Sequence, residues 1–303
     1  MIAIRKFTTR KICIVVIILL SIGLSPILCN SLMMAYKRHE LSKEIFVLSE
    51  VDQTLFLFIR DRIPTEKDWR AIGTFRNVIW FWLQNSELPQ SGLKALALWP
   101  ALEAIQLENV QIRVDSPQNP RVKTESLILY QCSGVTPAFL ESFSESELQS
   151  LALYTHLTGF SSTSRLTFDR LQALTIAQTG LHEETVVDVI NRSPEFRHLA
   201  IFNEGNITLA VLEKIEHPEN IKSLTLGALP ITDQNINILV RFSNLQELVI
   251  YDTPITDESV PTLLSIDTLE SIYFSDTQIS EENVQKLRRI ASEREEANWR
   301  YRL

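Results

Sequence analysis

Glycine and cysteine are both scarce in this chain of 303 residues. Eight glycines leave little material for loops that cradle phosphate groups, and no Walker or dinucleotide-binding motif is present. Of three cysteines, Cys13 and Cys29 lie in an apolar N-terminal run, so Cys132 alone belongs to the body. One cysteine there forms neither a disulfide framework nor a cysteine-ligated zinc module. We expect Cys132 to be a buried structural thiol.

Signatures of catalysis and of metal binding are missing as well. The sequence contains neither H-E-x-x-H nor G-x-S-x-G, and its five histidines share no metal-ligand spacing. We therefore expect no enzymatic activity, no catalytic residue, no cofactor and no bound metal. Asp252 and Asp276 leave two interpretations open, an acidic ladder for a cation or solvated acids in turns.

Basic residues are few outside the N-terminus. Residues 1–38 hold six of the 29 basic residues and none of the 37 acidic ones, which leaves 23 against 37 in the remainder. A nucleic-acid surface needs a basic face, so an acidic body argues against nucleic-acid partners. Protein, sugar and cation partners remain possible.

One long apolar run is present, at residues 12–36. Its first 18 residues, 12–29, carry no charge and as a helix span roughly 27 Å, close to the thickness of a bilayer core. Four positive charges in residues 1–11 precede it, which favours a cytoplasmic N-terminus. We expect an uncleaved signal-anchor at 12–36, a cytoplasmic tail at 1–11 and an extracytoplasmic body. A cleaved signal peptide is the alternative.

Residues 39–74 connect this run to the body. Leu41, Ile45, Leu48, Val51 and Leu55 recur at a spacing of three to four residues, which predicts one face of a helix. We expect a helical stalk or an N-terminal cap. The aromatic run at 78–83 that follows is typical of a core or an end cap, with a carbohydrate platform as the alternative.

A pattern φ-x-x-φ-x-φ, where φ is apolar, recurs along the body. Successive copies begin 22 to 27 residues apart. The copies are Phe75-Val78-Trp80, Leu102-Ile105-Leu107, Thr124-Leu127-Leu129, Leu148-Leu151-Leu153, Leu171-Leu174-Ile176, Phe196-Leu199-Ile201, Ile221-Leu224-Leu226, Leu245-Leu248-Ile250 and Leu269-Ile272-Phe274. The last two apolar residues of each copy alternate, so they share one face of a short strand.

Residues 75–290 resemble a leucine-rich-repeat solenoid, whose repeats have this length and this head. The segments PITD at 230–233, TPITD at 253–257 and TQISE at 277–281 are similar to the T-x-I-T-D turns of short bacterial leucine-rich repeats. The resemblance implies an α/β fold, a right-handed β-α horseshoe. The Asn or Cys usual after the strand is replaced, with Thr179, Thr253 and Thr277 in the comparable place. Thr256, Asp257 and Glu258 provide helix-start chemistry, and residues 291–303 are predicted as a polar C-terminal cap or tail.

Outward-facing strand positions are the candidate binding surface. Tyrosine and phenylalanine recur there, and tyrosine is favoured at binding hot spots, although strand propensity also explains aromatic residues on strands. The candidate residues on the concave face are Tyr130, Tyr154, Phe202, Val249, Tyr251, Asp252 and Tyr273.

These observations favour a non-enzymatic, membrane-anchored module that binds a protein or an envelope polymer through its concave face. The alternative is a structural or assembly scaffold that uses the stalk helix, the convex face or the N-terminal aromatic region. A fold of this kind does not by itself define a function.

Overall fold

A single sheet of eleven strands runs through the chain, and neighbours in the sheet are neighbours in the sequence. The computed structural model describes residues 45–51, 54–114, 120–144, 147–161 and 166–300, with the backbone alone at 45–55 and 298–300. The strands are β1 (Ile45–Val51), β2 (Thr54–Arg60), β3 (Val78–Pro89), β4 (Ala104–Arg113), β5 (Ser126–Tyr130), β6 (Ser150–Tyr154), β7 (Ala173–Ala177), β8 (His198–Phe202), β9 (Ser223–Gly227), β10 (Glu247–Tyr251) and β11 (Ser271–Ser275).

Ten of these strands are parallel. The first pair, β1 and β2, is antiparallel, whereas each strand from β2 to β11 pairs in parallel with the next. Parallel neighbours need a return segment between them, and short helices or turns supply it. The result is an α/β, solenoid-like fold in which each unit adds one strand.

Seven α-helices occur within the described residues, six in the return segments and the seventh after the last strand. They are α1 (Glu66–Ile72), α2 (Gln90–Leu96), α3 (Pro137–Glu141), α4 (Glu183–Asn191), α5 (Ala210–Glu213), α6 (Val260–Leu264) and α7 (Glu281–Arg300). Three 3-10 helices cover Pro218–Asn220, Ile236–Arg241 and Asp257–Ser259. Most are too short to be stable alone, so packing against the sheet holds them.

The core lies between the sheet and these segments. The predicted apolar positions from Leu102 to Phe274 are buried, and the pairs on successive strands lie opposite one another, as Leu248 does with Leu224 and Ile272. The alternation that the sequence predicts is therefore confirmed for these copies. Each pair extends one continuous apolar layer across the sheet.

The register predicted for the first copy is wrong. Phe81 and Leu83 are buried and pair with Ile105 and Leu107, so this unit begins at Val78 rather than at Phe75. Trp80 points to the opposite face and is only half-buried. Nearly every residue in VIWFWL is apolar, so the sequence does not show which alternate set faces the core.

The helix predicted within 39–74 is also wrong where the structure describes it. Residues 45–51 and 54–60 form the β1–β2 hairpin, and Leu57 and Ile59 are buried opposite Phe81 and Leu83. Among the described residues of 39–74, the only helix is α1, which begins with a capping box between Thr65 and Asp68. Pairing with β3 buries alternate residues of the apolar run TLFLFIR. A helix that stands alone would leave these apolar residues exposed.

The predicted tail at 1–11 and anchor at 12–36 lie outside the described residues, as do 39–44 and 301–303. Within the described part, none of the helices has the length and apolarity needed to cross a membrane. At the other end, α7 begins at residue 281 and passes through the boundary predicted at 290–291. Val284, Leu287 and Ala291 are buried against the last unit, and Arg294 donates to the carbonyls of Leu264 and Ile266.

Candidate ligand-binding face

Side chains that point away from the core form rows across the sheet, because neighbouring strands pair in register. One row contains the final residue of β2 and of each strand from β5 to β11, together with the residues of the longer strands β3 and β4 that pair with them. This row, here called the last row, contains Arg60, Gln84, Glu108, Tyr130, Tyr154, Ala177, Phe202, Gly227, Tyr251 and Ser275. The row two residues earlier, the middle row, contains Phe58, Trp82, Gln106, Ile128, Ala152, Thr175, Ala200, Thr225, Val249 and Tyr273.

The aromatic residues of the last row associate in two pairs. The ring centroids of Tyr130 and Tyr154 are 6.0 Å apart, and those of Phe202 and Tyr251 are 5.6 Å apart. Tyr130 is 43% exposed and Tyr154 is 36% exposed. Rings that pack on each other while remaining accessible are pre-organised for contact with a ligand.

Gly227 makes the second pair possible. Phe202 and Tyr251 lie two strands apart with Gly227 between them in the same row. A Cβ built on Gly227 would lie 2.0 Å from Cζ of Tyr251, so the ring occupies the space that a side chain would fill. The absence of a side chain at 227 lets Tyr251 lean across β9 to Phe202.

The pKa values of Tyr154 and Tyr251 are both raised above the ordinary value for tyrosine. Burial raises the pKa of Tyr154, and a hydrogen bond with Thr175 partly offsets this. Burial also raises the pKa of Tyr251, with further contributions from Tyr154 and Asp252. Both phenols are therefore neutral near pH 7 and can donate a hydrogen bond.

The remaining predicted residues form a second group near the C-terminal end. Val249 and Tyr273 are direct neighbours in the middle row. Tyr273 is 51% exposed, and the guanidinium carbon of Arg288 in α7 lies 5.5 Å from its ring centroid. This arrangement is a cation–π contact, which orients the ring. The seven predicted residues are thus the Tyr130–Tyr154 pair, the cluster of Phe202, Tyr251 and Asp252, and the Val249–Tyr273 pair.

Asp252 and Asp276 occupy a special backbone position. Each follows a last-row residue and has a positive φ, 51° and 52° respectively. Seven other residues in equivalent places share this left-handed conformation: Asp61, Asn85, Asn109, Gln131, Gln178, Asn203 and Ala228. Asp and Asn tolerate it better than most residues, which gives the two acids a structural reason to be there. No cluster of three metal-binding side chains occurs among the residues that the structure describes.

A buried polar row lies next to these left-handed residues, and the sequence predicted burial only for its Cys132. Thr155 donates to the carbonyl of Cys132, and Cys132 donates to the carbonyl of Leu107. The carboxylate of Glu204 accepts from the backbone N–H groups of Thr179 and Gly180, at 2.6 and 3.2 Å. Burial raises the pKa of the Cys132 thiol to about 11, so the thiol is protonated and structural rather than nucleophilic.

An aromatic quartet at the N-terminal end of the same face was also missed as a group. Phe56 and Trp80 have ring centroids 6.0 Å apart, and Phe58 and Trp82 have centroids 4.5 Å apart. All four are half-buried and point away from the core. Alternation within TLFLFIR and VIWFWL is the signal that identifies them once the register is known.

Comparison with known proteins adds no family to this description. A scan against protein-family models finds no match, and a search of curated proteins finds no similar sequence.

Proposed function

We propose that this chain is a non-enzymatic recognition module, built as a leucine-rich-repeat horseshoe and anchored in a membrane by residues 12–36, that binds a protein or an envelope polymer. The observation that carries the proposal is the row of accessible ring pairs on the face opposite the core. The burial of each φ-x-x-φ-x-φ copy and the addition of one strand per unit support the leucine-rich-repeat assignment.

The test is capture of a partner by the full chain from the envelope fraction of its own cells. Tyr130→Ala with Tyr154→Ala, and separately Tyr251→Ala, should lower partner recovery at least tenfold, because rings at an interface carry much of its binding energy. The thermal midpoint should change little, since these rings lie outside the core. Recovery that stays at the wild-type level in both variants would rule out the outer face as the binding surface.

Gly227→Ala offers a sharper variant that leaves every aromatic residue in place. The added Cβ must displace the Tyr251 ring, whereas alanine suits a strand at least as well as glycine does. We expect lost capture with an unchanged fold. Gly205→Ala is the matched control, because nothing lies within 4 Å of a Cβ at 205.

The second candidate is an assembly scaffold whose contacts lie at the N-terminal aromatic quartet. The observation in its favour is that Phe56, Phe58, Trp80 and Trp82 remain half-exposed on the outer face. Cross-links confined to this region, together with capture that survives Tyr251→Ala and fails in Trp80→Ala, would favour the scaffold.

A further inference from the structure

The ring pairs of the last row stand between carboxylates. At the end of the ring pairs nearer the N-terminus, Glu108 is the direct neighbour of Tyr130. At the other end, Asp252 follows Tyr251 and Asp276 follows Ser275, and both acids are exposed. No ion pair forms at any of these three carboxylates with another described residue.

Positive charge is scarce on the same surface, where Arg288 of α7 lies over the ring of Tyr273 in the middle row. Arg60 is the only lysine or arginine among the described residues of the last row and of the left-handed positions after it. Its Nε lies 3.2 Å from a carboxylate oxygen of Asp61, so its charge is already compensated. The charges next to the rings of the last row are therefore mainly negative, and the electron-rich faces of tyrosine and phenylalanine add to the attraction for cations.

The length of the row sets the size of a ligand. Tyr130 lies on β5 and Tyr251 on β10, five strand spacings apart, which at roughly 4.8 Å each gives about 24 Å. An extended peptide covers about 24 Å with seven residues. A segment of this length that crosses the strands therefore reaches from Tyr130 to Tyr251. Glu108 on β4 and Asp276 after β11 lie one strand spacing further out, roughly 4.8 Å, where the long side chain of a terminal lysine or arginine can meet them.

We propose that the last row binds an extended peptide segment of a partner protein whose lysine or arginine side chains pack on the rings and meet Glu108, Asp252 and Asp276. This inference rests on the proposed function and names its ligand class. Cationic side chains gain from both the ring faces and the carboxylates, whereas the phosphate or carboxylate groups of an anionic envelope polymer meet like charge here.

The test measures fluorescence anisotropy of labelled octapeptides with the full chain, at low and at high salt. Three peptides alternate leucine with lysine, with glutamine or with glutamate. We expect the lysine peptide to bind at least tenfold more tightly than the glutamine peptide, the glutamate peptide not to bind, and the lysine peptide to weaken as salt rises. A five-residue lysine peptide, which spans about 17 Å and cannot extend from Tyr130 to Tyr251, should bind at least tenfold more weakly than the octapeptide.

Two sets of variants of equal charge separate the site from the general negative charge of the chain. Glu108→Gln with Asp252→Asn and Asp276→Asn should weaken the lysine peptide about tenfold and reduce the salt dependence. The control, Glu258→Gln with Asp267→Asn and Glu282→Gln, neutralises exposed acids outside the strands and should leave binding within twofold. Equal losses in the two sets would overturn the inference, because the attraction would then be non-specific.

The remaining outcomes distinguish this inference from the proposed function. Equal binding of the lysine and glutamine peptides, lost in Tyr251→Ala, would overturn the cationic ligand while the binding face stands. Ring-dependent binding of an anionic or neutral envelope polymer in place of the lysine peptide would do the same. Binding of peptides and envelope partners that is wholly unaffected by Tyr251→Ala and Gly227→Ala would overturn both.

Discussion

Ala228 stands out among the residues that follow the last row. Its backbone is left-handed, with φ of 51°, yet it is neither a glycine nor a residue with a short polar side chain. Left-handed φ costs an L-residue roughly 1–2 kcal/mol, and asparagine and aspartate bear that cost more easily than alanine. Most equivalent positions carry Asn or Asp, and Asn85 and Asn109 also bond to the preceding unit, to Asp61 at 2.6 Å and to Asn85 at 2.9 Å. This position is therefore open to improvement.

Ala228→Asn should raise the free energy of unfolding by up to about 1 kcal/mol, because asparagine accommodates a positive φ. Urea denaturation followed by circular dichroism provides the measurement. Ala228→Val is the opposing variant and should destabilise the chain, since a β-branched residue is a strong outlier at positive φ. If the two substitutions changed stability in the same direction, the backbone explanation would be incorrect.

The burial of strand residues could be predicted from the sequence, whereas the backbone conformation of the turn residues could not. Leu248 and Ile250 alternate with polar neighbours, so their burial follows from a period of two. The left-handed positions hold Asp, Asn, Gln and Ala without a glycine, so no single residue type marks them. Tyr251 was correctly placed outside the core, but its contact with Phe202 across Gly227 depends on strand pairing, which local patterns do not encode.

At the scale of elements, aspartates in the turns link one unit to the next. Asp233 accepts from the backbone N–H and hydroxyl of Thr256, both at 2.9 Å, and from the hydroxyl of Ser259. Asp257 accepts from the backbone N–H and hydroxyl of Ser280, at 2.8 and 3.0 Å. The sequence predicted Asp257 as part of its own helix start, yet its carboxylate serves the following unit, while Thr256 caps locally by accepting from Glu258 N–H.

Asp233→Asn should lower the free energy of unfolding by about 1–3 kcal/mol. One charged carboxylate oxygen is replaced by a neutral amide oxygen, and the other is replaced by an NH2 group, which cannot accept the hydrogen bonds donated there. Thermal and urea unfolding provide the measurement. The control is Asp169→Asn, an exposed acid for which a change within about 0.5 kcal/mol is expected. Equal effects at 169 and 233 would show that the network contributes nothing specific.

The same network predicts how stability depends on pH. For Asp233, burial raises the pKa, but the hydrogen bonds from Ser259 and Thr256 outweigh this and hold it below its usual range. The backbone N–H of Ser280 lowers the pKa of Asp257. A carboxyl with a lower pKa in the folded chain stabilises it above the unfolded pKa of about 4, and that contribution is lost as the pH falls through the folded value.

Unfolding followed between pH 6 and pH 2.5 should therefore show stability falling below about pH 4. Asp233→Asn should make the fall shallower, since one of the titrating groups is gone. An identical pH profile in the variant would contradict the assignment of this carboxylate.

Strands and helices were predicted unevenly for a physical reason. In TLFLFIR nearly every residue is apolar, so spacings of two, three and four are all satisfied and the hairpin was mistaken for part of a helix. The choice is made by pairing with β3, a contact between segments about 24 residues apart. By contrast, α7 can be recognised from its own sequence, because acidic residues stand at its start and apolar residues recur at a helical spacing along it.

For the molecule as a whole, contacts join mainly consecutive units, as expected of a solenoid whose stability is a sum over neighbours. The effect of a core substitution on stability should therefore depend on the position of its unit along the solenoid. Leu151 is buried in β6 near the middle of the sheet, whereas Leu287 is a buried residue of α7 at the end. Each leucine-to-alanine change removes similar apolar volume, at about 2–5 kcal/mol.

Hydrogen exchange should distinguish these two variants. Leu287→Ala should speed exchange in α7 and β11 while β5 to β8 keep their protection, because the end can open alone. Leu151→Ala should speed exchange on both sides of β6, since its loss interrupts the stack. Uniform acceleration across the sheet in Leu287→Ala would mean that the chain unfolds as one cooperative block.

The residues with a left-handed backbone that follow the last row also mark the points between which one unit can be duplicated or removed. Residues 228 and 252 have the same backbone geometry, 24 residues apart, at the same point of consecutive units. A tandem duplication of 229–252 would therefore end in the conformation in which it begins, and it would add one strand without shifting the outward face of any other. Recombination between such points gives this architecture a route to change the length of its outer face in whole units, which an ordinary globular core does not permit.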